Sequence, residues 1–266
     1  MTALQALLSG GNALLDQAAL DLAAIEFPDL EPASYLSRLD ELAARVPAAD
    51  RGEEFVAALN HVLFEESGFT GNAADYYNPR NSCLNEVLER RAGIPITLSV
   101  LYMEVARRVG RPVLGIGLPG HFVVQYDDGR YATYIDVFHG GALLDAEGCR
   151  DLAQTVAGVD IFADTSFLRP VTPRQILVRM LNNLRSIYFR RHSSRKAAQV
   201  LDYLLLAMPD SAAEYRQRAV LNAELKRFAA AREDFHAYLR LSPDAADRTD
   251  VERQLHRLQA LQSSLN

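Results

Sequence analysis

Near the C-terminus the segments "AAQVLDYLLLAMPDS" and "AREDFHAYLRLSPDA" superimpose at a fixed offset: Pro209 on Pro243, Ala197 on Ala231, Leu201 on Phe235 and Leu205 on Leu239, each pair 34 positions apart. That period fits a helix pair used twice, because a single pair cannot bury its apolar face and must stack on the next. No other feature constrains the fold as tightly. Everything from Pro173 onward is therefore expected to be helical. The first helix of each pair contributes Leu181, Leu184 and Tyr188 in one copy and Tyr215 and Ala219 in the other. Two copies are too few for a long solenoid, so the stack is expected to rest on the core domain or to be capped by the last helix, "DRTDVERQLHRLQALQSSL".

Upstream, residues 1–70 read as helices. "NALLDQAALDLAAI" and "EPASYLSRLDELAARV", the second opened by Pro32, space apolar residues at helical intervals, and "GEEFVAALNHVLFEESGF" does so up to Gly68. Residues 71–170 have a different texture. A helix is expected from Asn81 or Ser82, both good caps, to Gly93, and a second from Pro95 to Gly110. Then "PVLGIGL", "HFVVQYDD" and "YATYIDVF" read as strands, the last two joined at "DDG" as a hairpin. The chain thus divides into an N-terminal helical segment (1–70), an α+β core with an antiparallel sheet (71–170) and a helical tail (171–266).

A net charge of -6 speaks against a nucleic-acid partner, and the basic run "YFRRHSSRKAAQ" reads as a solvated helix end. No apolar run approaches the roughly 18 residues of a membrane span, and the N-terminus lacks a secretion signal, which makes the cytoplasm the expected location. The two cysteines, Cys83 and Cys149, have no metal-type spacing, and no nucleotide-binding or zinc motif occurs. Neither a metal nor a cofactor is expected.

The chemistry concentrates around His121, which opens a strand, and Asp136, which lies on the next one. A turn at Asp128-Gly129 pairs residues whose numbers sum to about 257, as 121 and 136 do. A carboxylate beside an imidazole fixes its tautomer and stabilises the imidazolium of general-base catalysis. Such a dyad still needs a nucleophile. Thr97 and Ser99 in the first turns of the second core helix, and Cys83 near the start of the first, are the candidates; each could equally pack or cap. Asn81, Arg90, Arg91, Glu104 and His139 are candidate lining residues of the same cleft.

Helix, strand, then His and Asp on neighbouring strands resembles the transglutaminase-like superfamily. The resemblance implies a catalytic cysteine at the N-terminus of the core helix, about 15 residues before a glycine that ends it. Gly93-Ile94-Pro95 and Gly110 match this frame, and the residue in the cysteine's place is Pro95. The phrases "NSCLNEVLERRAGIPITLSVLYMEVARRVG" and "PGHFVVQY", with the 34-residue period of tetratricopeptide repeats, resemble more narrowly the bacterial SirB-type family. That family joins such a core to C-terminal repeats, and no well-established reaction comes with it.

Three readings follow. The first is a binding or regulatory module for a peptide or protein, on a site that has lost its nucleophile. The second is a hydrolase or transferase acting on amide or ester bonds, with His121 as base, Asp136 orienting it, and Thr97, Ser99, Cys83 or water attacking. The third is a scaffold in which the two residues brace the sheet.

Overall fold

The computed structural model describes residues 1–161 and 164–263. Contacts divide the chain into two compact units, one of Met1–Leu7 and Asn12–Met180, the other of Leu8–Gly11 and Leu181 onward.

The first unit opens with α1 (Ala3–Leu8), α2 (Leu15–Ala23), α3 (Pro32–Ala44) and α4 (Gly52–Asn60), the last continuing as a wide π-type turn to Glu66. Two-residue strands β1 (Thr70–Gly71) and β2 (Ala92–Gly93) pair in parallel on either side of α5 (Leu84–Arg90). This helix starts later than its sequence suggests. Asn78, not Asn81, supplies the capping side chain here, accepting from the Arg80 amide of a short 3₁₀ turn, while Asn81 is turned toward the preceding loop.

The next helix, α6 (Pro95–Arg108), is the axis of the unit. Pro95 stands where the missing amide of a first-turn residue costs nothing, and Gly110, at φ +74°, takes the left-handed conformation that stops it. Residues from Pro95 to Tyr102 are all buried, so the first two turns of α6 are enclosed on every side rather than amphipathic. Asp16, Glu104, Arg107 and Arg108 meet at its C-terminal end, with Arg108 Nη2 2.6 Å from Asp16 Oδ2.

Strands β3 (Leu114–Ile116), β4 (Val123–Asp127), β5 (Ala132–Asp136) and β6 (Ala142–Leu144) form an antiparallel meander in that order. The hairpin register differs from the expected one. Val124 pairs with Ile135 and Asp127 with Ala132, so partner numbers sum to 259 rather than 257. The cause lies in the turn, where the Asp128 carboxylate accepts from the amides of Arg130 and Tyr131 and centres the loop one residue later. After β6, α7 (Ala146–Ala157) is capped by Asp145, whose carboxylate accepts from the Gly148 amide. Its buried Cys149 and Ala153 pack with Ile116, Leu118 and Val123.

The second unit begins within α8 (Pro173–Arg190) and continues through α9 (Ser194–Ala207), α10 (Ala212–Glu224), α11 (Phe228–Leu241) and α12 (Arg248–Ser263). Both ends of α11 lie 34 residues beyond those of α9, and the end of α10 lies 34 beyond that of α8. The period extends to backbone detail. His192 and Lys226, also 34 apart, both take left-handed φ values, 51° and 58°. The stretch expected to cap the stack forms α12, whose Val251 and Leu258 pack with Ala219, Phe235 and Tyr238.

Candidate functional site

His121 precedes β4 and Asp136 ends β5. Asp136 is therefore opposite Val123, two residues beyond His121, and residues two apart on a strand line share a face. The two side chains meet diagonally instead of directly. His121 Nε2 lies 3.0 Å from Asp136 Oδ1, with both residues buried. His139 joins them: a tight turn follows β5, its amide at Phe138 donates to Asp136 Oδ1, and this brings His139 Nδ1 to 2.7 Å from Asp136 Oδ2.

One carboxylate thus holds two imidazoles. Burial alone would raise the Asp136 carboxyl pKa, but the hydrogen bond and charge of His121, joined by those of His139, outweigh it and hold the carboxyl below the usual range. Ionised, it only accepts, so His121 Nε2 and His139 Nδ1 are the donors, and among the described residues His121 Nδ1 has no hydrogen-bond partner. His121 is walled by Phe138, edge-on at 6.0 Å, and by the exposed His139 ring stacked at 5.9 Å. Tyr76 stands against Phe138 at 6.2 Å. Donor atoms of His121, Asp136 and His139 lie within 4.8 Å of one another, a set of ligand types that transition metals accept. The hydrogen bonds just described already account for their closeness.

None of the candidate nucleophiles is accessible. Thr97, Ser99 and Cys83 are each 0% exposed. Among the described residues Thr97 Oγ1 and Ser99 Oγ have no hydrogen-bond partner, while Cys83 Sγ donates to the Pro79 carbonyl at 3.5 Å. The helix start that Thr97 or Ser99 was expected to arm carries Pro95, also buried and without a reactive atom. A buried hydroxyl with no partner carries a desolvation penalty and no compensation. Thr97→Val and Ser99→Ala are therefore expected to leave stability unchanged or raise it by up to about 1 kcal/mol in urea unfolding; a loss of 2 kcal/mol or more would reveal a bond formed by that hydroxyl.

Of the residues expected to line the same cleft, the structure brings only His139 to the dyad. Asn81 is buried, bonding the Asn72 side chain and the carbonyls of Asp75 and Tyr76; it shapes the loop that presents Tyr76. Glu104 belongs to the ion cluster at the far end of α6, 2.7 Å from Arg107 Nη2. There burial raises its carboxyl pKa, against the opposing pull of Arg107. Arg90 lies 3.9 Å from Glu86, and Arg91, in left-handed conformation at the end of α5, lines a separate cavity with Arg38, Arg45 and Phe69.

Gly71 positions the third member. A Cβ there would lie 2.5 Å from the Phe138 carbonyl oxygen and 2.6 Å from its ring, so β1 touches the 137–139 turn only because this residue has no side chain. Gly71→Ala is expected to destabilise by about 1–3 kcal/mol and to displace His139 from Asp136. Imidazole NMR resonances of His139 unchanged in that variant would count against this packing.

Comparison with known proteins gives two family matches in order, the transglutaminase-like superfamily over residues 33–182 and tetratricopeptide repeats over residues 184–256. A UPF0162 protein of Xylella fastidiosa is 38% identical over 234 residues, covering 85% of this chain and 83% of the relative. One of Pseudomonas aeruginosa is 30% identical over 247 residues, covering 92% and 90%. Mouse F-box only protein 21 is 33% identical over 164 residues, 58% of this chain but 25% of that protein.

Proposed function

The chain belongs to the transglutaminase-like superfamily, in the UPF0162 group with C-terminal tetratricopeptide repeats, and we propose that it is a peptide- or protein-binding module built on a catalytic site that has lost its nucleophile. The observation that carries this reading is the start of α6. Pro95 takes the place where the superfamily resemblance puts a cysteine, and Thr97, Ser99 and Cys83 are sealed from solvent. What remains is a polar, charged pair beside aromatic rings, with His139 and Tyr77 exposed and Tyr76 half-buried. Those are groups that recognise a chain as well as they would process one. The repeats fit the same purpose, since helix-pair stacks present extended binding surfaces. Among the described residues no helix is long and apolar enough to cross a membrane.

Hydrolysis by water activated at His121 is the reading that the ordered His121–Asp136 pair favours in its turn. One experiment separates the two. The full chain is titrated with pooled short peptides carrying amide and ester bonds, binding being followed by the His121 ring resonances and turnover by mass spectrometry. Saturable shifts without cleavage or acyl transfer are expected. Product that forms with the wild type and vanishes with His121→Ala would overturn the binding reading.

A further inference from the structure

Arg179 on α8 is held by backbone carbonyls and an aromatic ring. Its Nη2 donates to the carbonyls of Leu118, at 2.9 Å, and His121, at 2.5 Å, and its guanidinium lies over the Phe122 ring at 5.4 Å. Among the described residues no carboxylate pairs with it. Guanidinium has five N–H groups, and the two carbonyl bonds engage only Nη2, so among the described residues the donors on Nη1 and Nε have no hydrogen-bond acceptor. Burial lowers its pKa. The positive group is thus held at the backbone of the 118–121 turn, over the Phe122 ring. A half-buried charge with no opposite charge beside it is costly, and an anionic ligand would offset that cost.

A second observation concerns the space beside it. Gly117 has no positive φ to explain a glycine, yet a Cβ there would stand 3.3 Å from Arg179 Nη1. A side chain there would crowd that nitrogen.

We propose that Arg179 is an anion-recognition group adjoining the His121–Asp136 pair, and that it takes a carboxylate of a bound peptide. With Nη2 held by two carbonyls, Nη1 is left to meet one oxygen of a carboxylate, the anion that a peptide carries, and charge-assisted bonds are stronger than neutral ones. The proposal rests on the binding reading above and names the chemistry of its ligand. A terminal carboxylate and an Asp or Glu side chain share that chemistry.

The test uses the full-length protein and three probes: acetyl-trialanine with a free C-terminus, the same peptide amidated, and amidated acetyl-Ala-Glu-Ala. His121 ring resonances report occupancy. The free-acid peptide, the Glu peptide or both are expected to bind about tenfold or more tightly than the neutral one. Which of them does so identifies the source of the carboxylate. Arg179→Gln is expected to abolish the difference, Arg179→Lys to retain part of it, and Gly117→Ala to weaken it by crowding Nη1. Because Arg179 also braces the 118–121 turn, the wild-type comparison decides even where variants fold poorly. Equal affinity for charged and neutral peptides would overturn carboxylate recognition while leaving peptide binding intact. Silence of His121 toward all three would overturn both.

Discussion

Asp136→Ala is expected to cost about 3–5 kcal/mol of unfolding free energy, because it removes the one acceptor shared by two imidazoles and a backbone amide in a buried place. Asp136→Asn keeps the shape but supplies one oxygen acceptor where there were two, and should lose less. The pH dependence gives the finer reading. The folded carboxyl has a depressed pKa, so the unfolded chain binds its proton first as pH falls. Its contribution is complete above the unfolded value of about 3.9 and lost as pH drops through the folded one. Denaturant unfolding of the wild type should therefore steepen below about pH 4 relative to Asp136→Asn. Parallel curves would mean that Asp136 is not held ionised by its histidines.

In the second unit, Phe235→Ala is expected to be comparably damaging, at about 3–5 kcal/mol, since the ring is 1% exposed among Ala219, Ala231, Tyr238 and Val251. Its repeat counterpart Leu201 is 0% exposed, and Leu201→Ala should cost about 2–5 kcal/mol. Hydrogen exchange provides the check. Amides of α10, α11 and α12 should lose protection in Phe235→Ala, and retention of full protection there would break the repeat packing described.

How much of this was legible depended on how local each signal was. The 34-residue period could be read because the same packing is used twice, which duplicates Pro209 and Pro243, Ala197 and Ala231. Its left-handed residues, His192 and Lys226, could not, since neither is a glycine. The hairpin was evident in "YDDGRY", but its register was two off because the Asp128 side chain, rather than the composition of the turn, sets the loop centre. The helix α7 was not anticipated at all, although Asp145 caps its start and Gly158 stands at its end.

At the site, His121 and Asp136 stood out by type and spacing. The geometry of His139 depends on a turn that the Asp136 carboxylate itself forms with the Phe138 amide, which spacing alone does not reveal. Glu104 misled for a plain reason: it lies on the core helix, but two turns or more beyond Pro95 and against Asp16 and the arginines. Arg179 gave no signal at all. It is 58 residues from His121 in the chain and reads as one more cation on a helix face until the fold brings the two together.

The central claim is that this site holds no reactive nucleophile. It is tested most directly by exposing the folded, full-length protein to a cysteine-directed chloroacetamide and a serine-directed fluorophosphonate, then mapping adducts by mass spectrometry. The expected result is no adduct at Cys83, Thr97 or Ser99 while the protein stays folded, with Cys83 reacting only after denaturation. Rapid labelling of any of the three in the native protein, lost when His121 is replaced by alanine, would contradict it.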